Sequence, residues 1–356
     1  MRVYICFYFF CNVNSVLLPF TYNAYLSSIL GTVYSGYRRL DRSGVAIKQV
    51  PKVKVKRWGR INNLKVPIEF DLLNRVNRKH TSIIEMLDWY ERRSSFVLVM
   101  ERPPHSIDLF EFINRRGAVE EFNTKYMLRQ LVEVMIILFK EGVFHRDVKD
   151  ENIMVSYDNF QLKLIDFGCG TNLKKSDYTE FAGTPEFYPP EWFREKRYAA
   201  ESQTVWSLGV LLWAMLHGEV PFANESDIKV YKGSVYELKR RVNLTDDTMH
   251  FLQKLLNFDE RKRPTLRQMV NSRWLRKNNE DEVGLIGESM PKKLSAITPA
   301  YEGRNNLKNS KSKTSTSHQD LSSYSTSNPN FQGLVASSSA ASPHFASTVY
   351  FSARIA

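Results

Sequence analysis

The sequence predicts an α+β chain in which a sheet-rich amino-terminal unit precedes a mostly helical carboxyl-terminal one. Short runs of β-branched and aromatic residues cluster before residue 100, apolar residues recur at three- and four-residue steps after about residue 105, and both patterns stop near Leu275. At 356 residues and 43% hydrophobic, the chain can bury a substantial core, which excludes global disorder.

The first segment, Val3 to Cys11, is an apolar run behind Arg2 that looks like a weak export signal, but nine residues are too few to cross a bilayer. Residues 1–24 are left unassigned. Thr32 to Tyr37, Val45 to Val50, Ile84 to Tyr90 and Phe96 to Met100 read as strands. Between the second and third, Pro67 suits a first helical turn, and Glu69, Leu72, Leu73 and Val76 fall on one face. An inward Glu69 needs a cationic partner. Helices are expected over Asp108 to Arg115, Thr124 to Glu141 and Val205 to His217, the last apolar on nearly every side and so buried. Two further strands, Ile153 to Ser156 and Gln161 to Ile165, flank a turn at Tyr157, Asp158 and Asn159. Residues 277–356, rich in Ser, Thr, Asn, Lys and Ala, cannot offset the entropy of ordering and read as a disordered tail.

Fifty Lys and Arg against 38 Asp and Glu leave a net charge of +12. The densest positive run, Lys52, Lys54, Lys56, Arg57 and Arg60, is short and carries no nucleic-acid signature, so a solvated basic face is preferred and no specific nucleic acid is expected. Cys6, Cys11 and Cys169 have neither metal-ligand nor disulfide-framework spacing. A reducing compartment, cytoplasmic with the nucleus also allowed, and no membrane partner are the resulting expectations.

The informative stretch is His145-Arg146-Asp147-Val148-Lys149-Asp150-Glu151-Asn152, with Asp166-Phe167-Gly168 following Asn152 at a distance of 14 residues. Val45-Ala46-Ile47-Lys48 lies upstream and Pro189-Pro190-Glu191 downstream. In order and spacing these four segments resemble the protein-kinase signature, over residues 25–276. The resemblance implies a bilobal fold, with a β-rich small lobe at 25–100 and a helical large lobe at 105–276, and ATP-dependent phosphoryl transfer to protein substrates. Such chemistry rests on positioning and on placed cations, because charge concentrates on the phosphate oxygens. Lys48, held by Glu69, would meet the α- and β-phosphates; Asn152 and Asp166 are hard oxygen donors suited to Mg²⁺; Asp147 would orient the acceptor hydroxyl; and Lys149 would neutralise the γ-phosphate. Lys149, together with Thr184 of Gly183-Thr184-Pro185 lining the acceptor pocket, resembles the Ser/Thr class. Glu191 is expected to pair with Arg263 as a buried structural bridge.

Two departures narrow the resemblance to the Pim family of Ser/Thr kinases. Thr204 stands before Val205-Trp206-Ser207-Leu208-Gly209 where most kinases carry an aspartate, and Pro103 in Met100-Glu101-Arg102-Pro103-Pro104 lacks the N–H that would face adenine. This likeness implies an adenine site made of the Glu101 carbonyl, Val33, Ala46, Met154, Ile165 and the gatekeeper Met100, with Gly31 in the loop over the phosphates. It also implies substrates with basic residues before the acceptor, read by Asp108, Glu111 and Glu151, although Asp108-x-x-Glu111 equally reads as a capping box. Ser176, Tyr178 and Thr179 lie in the segment between Asp166 and Glu191 without a mark of a required switch, and Cys169 is expected to be alkylated more readily than a core thiol. A monomer is expected.

The phosphate loop departs from the pattern. Counting back from Gly31, the first two glycines of G-x-G-x-x-G fall at Leu26 and Ser28. A foreign amino-terminal segment is preferred to a divergent loop, since the other catalytic positions are intact. The competing reading is a pseudokinase scaffold that binds nucleotide without turnover.

Overall fold

The computed structural model describes residues 20–27, as backbone, and 31–276. The apolar run Val3–Cys11, Ser28 and the tail 277–356 lie outside the described residues. Strands β1 (Phe20–Ser27), β2 (Thr32–Arg38) and β3 (Gly44–Pro51) open the chain, and a hairpin of β4 (Trp58–Ile61) and β5 (Leu64–Pro67) leads into helix α1 (Ile68–Val76). After β6 (Met86–Glu91) and β7 (Ser95–Glu101), β1, β2, β3, β7 and β6 form, in that order, one antiparallel sheet. The sheet thus begins at Phe20, five residues before the boundary expected from sequence, and Leu26 pairs with Val33 across a bulge.

Alternation along β3 divides the small unit into two packing faces. Val45 and Ile47 join Val97 and Val99 on the outer face, while Val50, Phe96 and Leu98 face α1 and the main core. The hairpin was not legible as such, because its charged residues masked the alternation. Asn62 and Asn63, at φ 48° and 66°, form its two-residue turn. Gly59 permits close packing on α1, since a Cβ there would lie 2.4 Å from the Cβ of Asp71. Pro67 ends β5 and caps α1 instead of entering its first turn.

The helical unit is built from β8 (Ser106–Asp108), α2 (Leu109–Arg116), α3 (Glu121–Lys140), β9 (Val143–Phe144), β10 (Ile153–Ser156), β11 (Leu162–Leu164), β12 (Thr171–Asn172), α4 (Pro190–Glu195) and α5 (Ala200–His217). It closes with α6 (Glu225–Val230), α7 (Asp246–Leu255), α8 (Leu266–Val270) and α9 (Arg273–Arg276). β8, β10 and β11 make a small sheet, and β9 pairs with β12. Helix α5 is buried over nearly its whole length and runs through the core, as its all-round apolar pattern demands.

Two helices begin earlier than apolar periodicity indicates. The first turns of α5 contain buried polar side chains that bond within the helix, with Thr204 Oγ1 donating to Ala200 O at 2.8 Å and Gln203 Nε2 donating to Ser207 Oγ at 2.9 Å. Glu121 at the start of α3 accepts from Thr245 N at 2.8 Å and Thr248 Oγ1 at 2.7 Å. Such polar anchoring leaves no periodic trace.

Candidate active site

The site forms where β3 and α1 of the small unit meet the loops that follow β9 and β11. Lys48 on β3 is only 3% exposed, and its Nζ donates to Glu69 Oε1 of α1 at 2.5 Å and to Asp166 Oδ1 at 2.9 Å. Burial alone would lower the Lys48 pKa, but the two carboxylates outweigh it and hold the ammonium charged. Residues 21 and 118 positions away along the chain are therefore brought onto one nitrogen. Asp166 adopts a left-handed φ of 55°, and its Oδ1 also accepts from Gly168 N at 3.0 Å. Burial raises its pKa, yet Lys48 and that amide hold it below the ordinary aspartate value, so the carboxylate stays ionised near neutrality.

Asp147, Asn152 and Thr184 form a second cluster. Asn152 Nδ2 donates to Asp147 Oδ2 and to its carbonyl, both at 2.9 Å, and Thr184 Oγ1 donates to Asp147 Oδ1 at 2.9 Å. Gly183 makes this approach possible: at φ 135° it sits so close that a Cβ would lie 2.7 Å from Arg146 O. Lys149 Nζ is paired with the Glu151 carboxylate. His145 lies beneath, with Nε2 against Ile165 O at 3.1 Å and its ring edge-on to Phe167; burial keeps it neutral, and a neutral ring fixes both loops without adding charge.

Three of the expected adenine residues, Val33, Ala46 and Met100, share one face of the sheet. Ala46 and Met100 are direct cross-strand partners, and Val33 pairs with Lys48 two residues further along β3, so Val33, Ala46, Lys48 and Met100 point the same way. Val33, Ala46, Met100, Met154 and Ile165 are each half-buried, unlike the sealed Val45 and Ile47 beside them. Ile165 N donates to Asn152 O at 2.9 Å, which ties this floor to the second cluster. Glu101 sits at the end of β7, where its side chain accepts from Lys163 Nζ at 2.5 Å and from Glu85 N at 2.8 Å. Gly31 has a packing reason of its own, because a Cβ there would fall 2.1 Å from Gln49 O.

The three acidic candidates for substrate reading come together, since Glu111 and Glu151 are close enough to act on Asp108, whose pKa burial raises first and they raise further. Each is already engaged. Asp108 Oδ1 accepts from Glu111 N at 2.8 Å as the cap of α2, Glu111 Oε1 accepts from Arg115 Nε at 2.6 Å, and Glu151 holds Lys149. The capping reading of Asp108 is realised as a one-way cap, with the Glu111 carboxylate turned to Arg115 instead of reciprocating.

Other expectations are corrected. Of the three hydroxyl residues noted between Asp166 and Glu191, Tyr178 is buried and stacked on Tyr198 with centroids 5.6 Å apart, whereas Ser176 and Thr179 are exposed. Burial, with Asp147 and Asp166 nearby, pushes the Cys169 thiol up to about 11, which argues against enhanced alkylation. Sequence reasoning also missed Arg57 and Arg146, which donate to backbone carbonyls around Cys169, and Arg75, which donates to Asn172 Oδ1 at 2.7 Å. Only their cationic character was visible beforehand.

The Glu191–Arg263 pair is as expected: Nη1 to Oε1 at 2.9 Å and Nη2 to Oε2 at 2.7 Å, side chains 0% and 1% exposed, with the guanidinium 4.9 Å from the centre of the Trp206 ring. Among the described residues no group of three His, Cys, Asp or Glu side chains could cage a metal. Asn152 and Asp166 offer two hard oxygen donors, which fits a magnesium ion shared with phosphate oxygens better than an all-protein cage.

Comparison with known proteins agrees with this geometry. The protein kinase domain family matches residues 29–275. The chain is 38% identical to the serine/threonine-protein kinase pim-2 of Danio rerio over 270 residues, covering 73% of this chain and 85% of that protein. It is 37% identical over 265 residues to the serine/threonine-protein kinase prk-2 of Caenorhabditis elegans, covering 74% of this chain and 60% of that one, and 31% identical over 253 residues to the PAS domain-containing serine/threonine-protein kinase of Mus musculus, covering 70% and 18%. A buried lysine bridged to two carboxylates, an aspartate cradled by an amide and a hydroxyl, and these likenesses lead to one assignment: the chain belongs to the protein kinase family, as a Pim-like serine/threonine kinase.

Proposed function

We propose that the chain is a catalytically active kinase that moves the γ-phosphoryl group of ATP to a Ser or Thr hydroxyl of proteins carrying basic residues before the acceptor. The observation that carries this reading is the intact pairing on Lys48, whose ammonium is held between Glu69 and Asp166. That pairing serves nucleotide binding in either reading, and the cluster of Asp147 with Asn152 and Thr184, with Lys149 beside it, favours turnover over a scaffold.

Lys48 binds and orients the α- and β-phosphates. Asn152, through its amide oxygen, and Asp166, through its ionised carboxylate, would hold Mg²⁺; when bound, the ion neutralises phosphate charge and fixes the triphosphate in line. Asp147 accepts a hydrogen bond from Thr184 in the resting site, and the acceptor hydroxyl takes that place, handing its proton to Oδ1 or Oδ2 as the new O–P bond forms and the bond from the γ-phosphorus to the β,γ-bridging oxygen breaks, that oxygen leaving with its electron pair on ADP. Lys149 leaves Glu151 for the γ-phosphate oxygens, and Glu151 is then released to an incoming substrate cation. Val33, Ala46, Met100, Met154 and Ile165 sandwich the adenine, with the Glu101 carbonyl as acceptor for its amino group. A monomer acting in the reducing cytoplasm or nucleus is part of the proposal; three sparse cysteines without disulfide-framework spacing support the reducing compartment.

The specific observation favouring a pseudokinase is the loop with Leu26 and Ser28 in glycine positions. Phosphate transfer from labelled ATP to an arginine-containing serine peptide decides between the two, with Asp147→Asn as the reference. Transfer at least about 100-fold above that variant supports the active reading, and transfer equal to it establishes the scaffold.

A further inference from the structure

Arg57 lies in the loop between β3 and β4, within the run whose charge alone was apparent from the sequence. Its side chain crosses to the other unit, where Nη1 donates to Gly170 O at 2.6 Å and Nη2 donates to Gly168 O at 3.0 Å. From the opposite side Arg146 Nε donates to Cys169 O at 2.7 Å. Three consecutive carbonyls, starting two residues after the aspartate that meets Lys48, are thus each bound by a guanidinium. The Arg57 carbonyl also accepts from Ile68 N at 3.0 Å, at the first residue of α1 and one position before Glu69. One residue therefore touches both the helix that supplies Glu69 and the turn that supplies Asp166.

We propose that Arg57 is a positioning residue for phosphoryl transfer: its fork fixes the Asp166–Gly170 turn against the start of α1, so that Asp166 and Glu69 are held at Lys48 in register. The inference rests on the kinase reading of the site. The planar guanidinium suits the task because two N–H groups at fixed spacing can meet two carbonyls without further ordering. Its placement is not accidental packing. Burial first, and the neighbouring Arg146 second, lower the Arg57 pKa, so two like charges are kept close together at this turn, with the nearby Glu180 opposing their repulsion. The seat is close-packed as well: Gly59 lets the hairpin pack onto Asp71 of α1, and a Cβ at Gly170 would lie 2.8 Å from Leu72 Cδ1 and 2.9 Å from Phe167 O, so glycine serves the hairpin–helix contact at one position and the turn–helix contact at the other. Arg75, bidentate to Asp71 and bonded to Asn172, continues the same seam one turn further along α1.

Three variants of the full chain test this: Arg57→Met, which keeps the stem, Arg57→Lys, which keeps the charge but not the fork, and the control Lys52→Met, which removes a nearby cation paired with Glu91. Two readouts are taken, steady-state phosphorylation of an arginine-containing peptide and amide hydrogen exchange of residues 166–172 in nucleotide-free protein. For Arg57→Met we expect kcat to fall about 10- to 100-fold with the peptide KM within about twofold, and exchange in 166–172 to rise about tenfold or more while α3 and α5 keep their protection. Arg57→Lys should recover part of both, and Lys52→Met should change neither. Unchanged exchange in 166–172, or a rise spread evenly over the domain, overturns the proposal. Exchange is read without turnover, so a chain that transfers no phosphate at all refutes the kinase reading while leaving the clamp itself to be decided by the exchange data.

Discussion

The Lys48 ammonium shows how burial changes the expectation for a single residue. From spacing alone, Lys48→Ala would abolish transfer and leave unfolding nearly unaltered. The side chains of Lys48 and Glu69 are 3% and 4% exposed, and Glu69 Oε2 has no partner, so removing the ammonium strands a buried carboxylate. Burial raises the Glu69 pKa, which lets the stranded group take a proton and softens the penalty. Lys48→Met is expected to lose transfer and about 3 kcal/mol of stability, and Lys48→Met with Glu69→Leu to regain part of that stability without activity, as read by urea unfolding. Asp150 gives a pH test. Burial first, and Glu151 second, push its pKa up to about 6 from the ordinary 3.8. A carboxyl raised on folding contributes stability below its unfolded pKa and loses it as pH rises through the folded one. The neutral Asp150→Asn protein should therefore be more stable than the parent by about 2 kcal/mol near pH 7.5, a gain that shrinks toward pH 4; a gain unchanged across that range would contradict the assignment.

Among the elements, α4 and α5 depend on the bidentate Glu191–Arg263 pair, whose guanidinium also donates to Ser202 O at 3.0 Å and Asn257 O at 2.9 Å. Arg263→Met leaves the Glu191 carboxylate buried and unmatched, and is expected to lower stability by about 3 to 5 kcal/mol in chemical denaturation. Elements whose hydrophobic pattern is their reason to exist were legible in the sequence: β3 and β7 by their β-branched and aromatic runs, α1 by the face of Glu69, Leu72, Leu73 and Val76, and α5 by its apolar girth. The site was legible through the resemblance of four short motifs to the protein-kinase signature together with the inward face of Glu69, and the carboxylates of Glu69 and Asp166 do meet at the Lys48 ammonium. What stayed hidden was held by polar contacts between distant segments. The β4–β5 hairpin is set by the Asn62-Asn63 turn and by contact with α1, and the Arg57 fork reaches carbonyls that no side-chain pattern announces. Glu111 was weighed as a substrate reader or a capping-box residue, and neither reading included its pairing with Arg115, four residues on.

Across the described residues, one apolar core runs through both units, which Lys48, Arg57 and Arg75 also tie together by polar contacts, and the proposed substrate reader is the acidic edge beside α2. Arg115 occupies Glu111 as a substrate arginine would. Discrimination, measured as the ratio of kcat/KM for a peptide with arginine before the acceptor to that for its alanine counterpart, should fall about tenfold in Glu111→Gln and rise in Arg115→Ala; a ratio indifferent to both would remove Glu111 from substrate reading. Beneath this lies the convergence of both units on one triphosphate. Its most direct measurement is calorimetric titration of ATP into the full chain with and without Mg²⁺, repeated for Asp166→Asn. The convergence predicts that Mg²⁺ tightens ATP binding about tenfold or more in the parent and hardly at all in Asp166→Asn; equal affinity with and without the ion in the parent would contradict it.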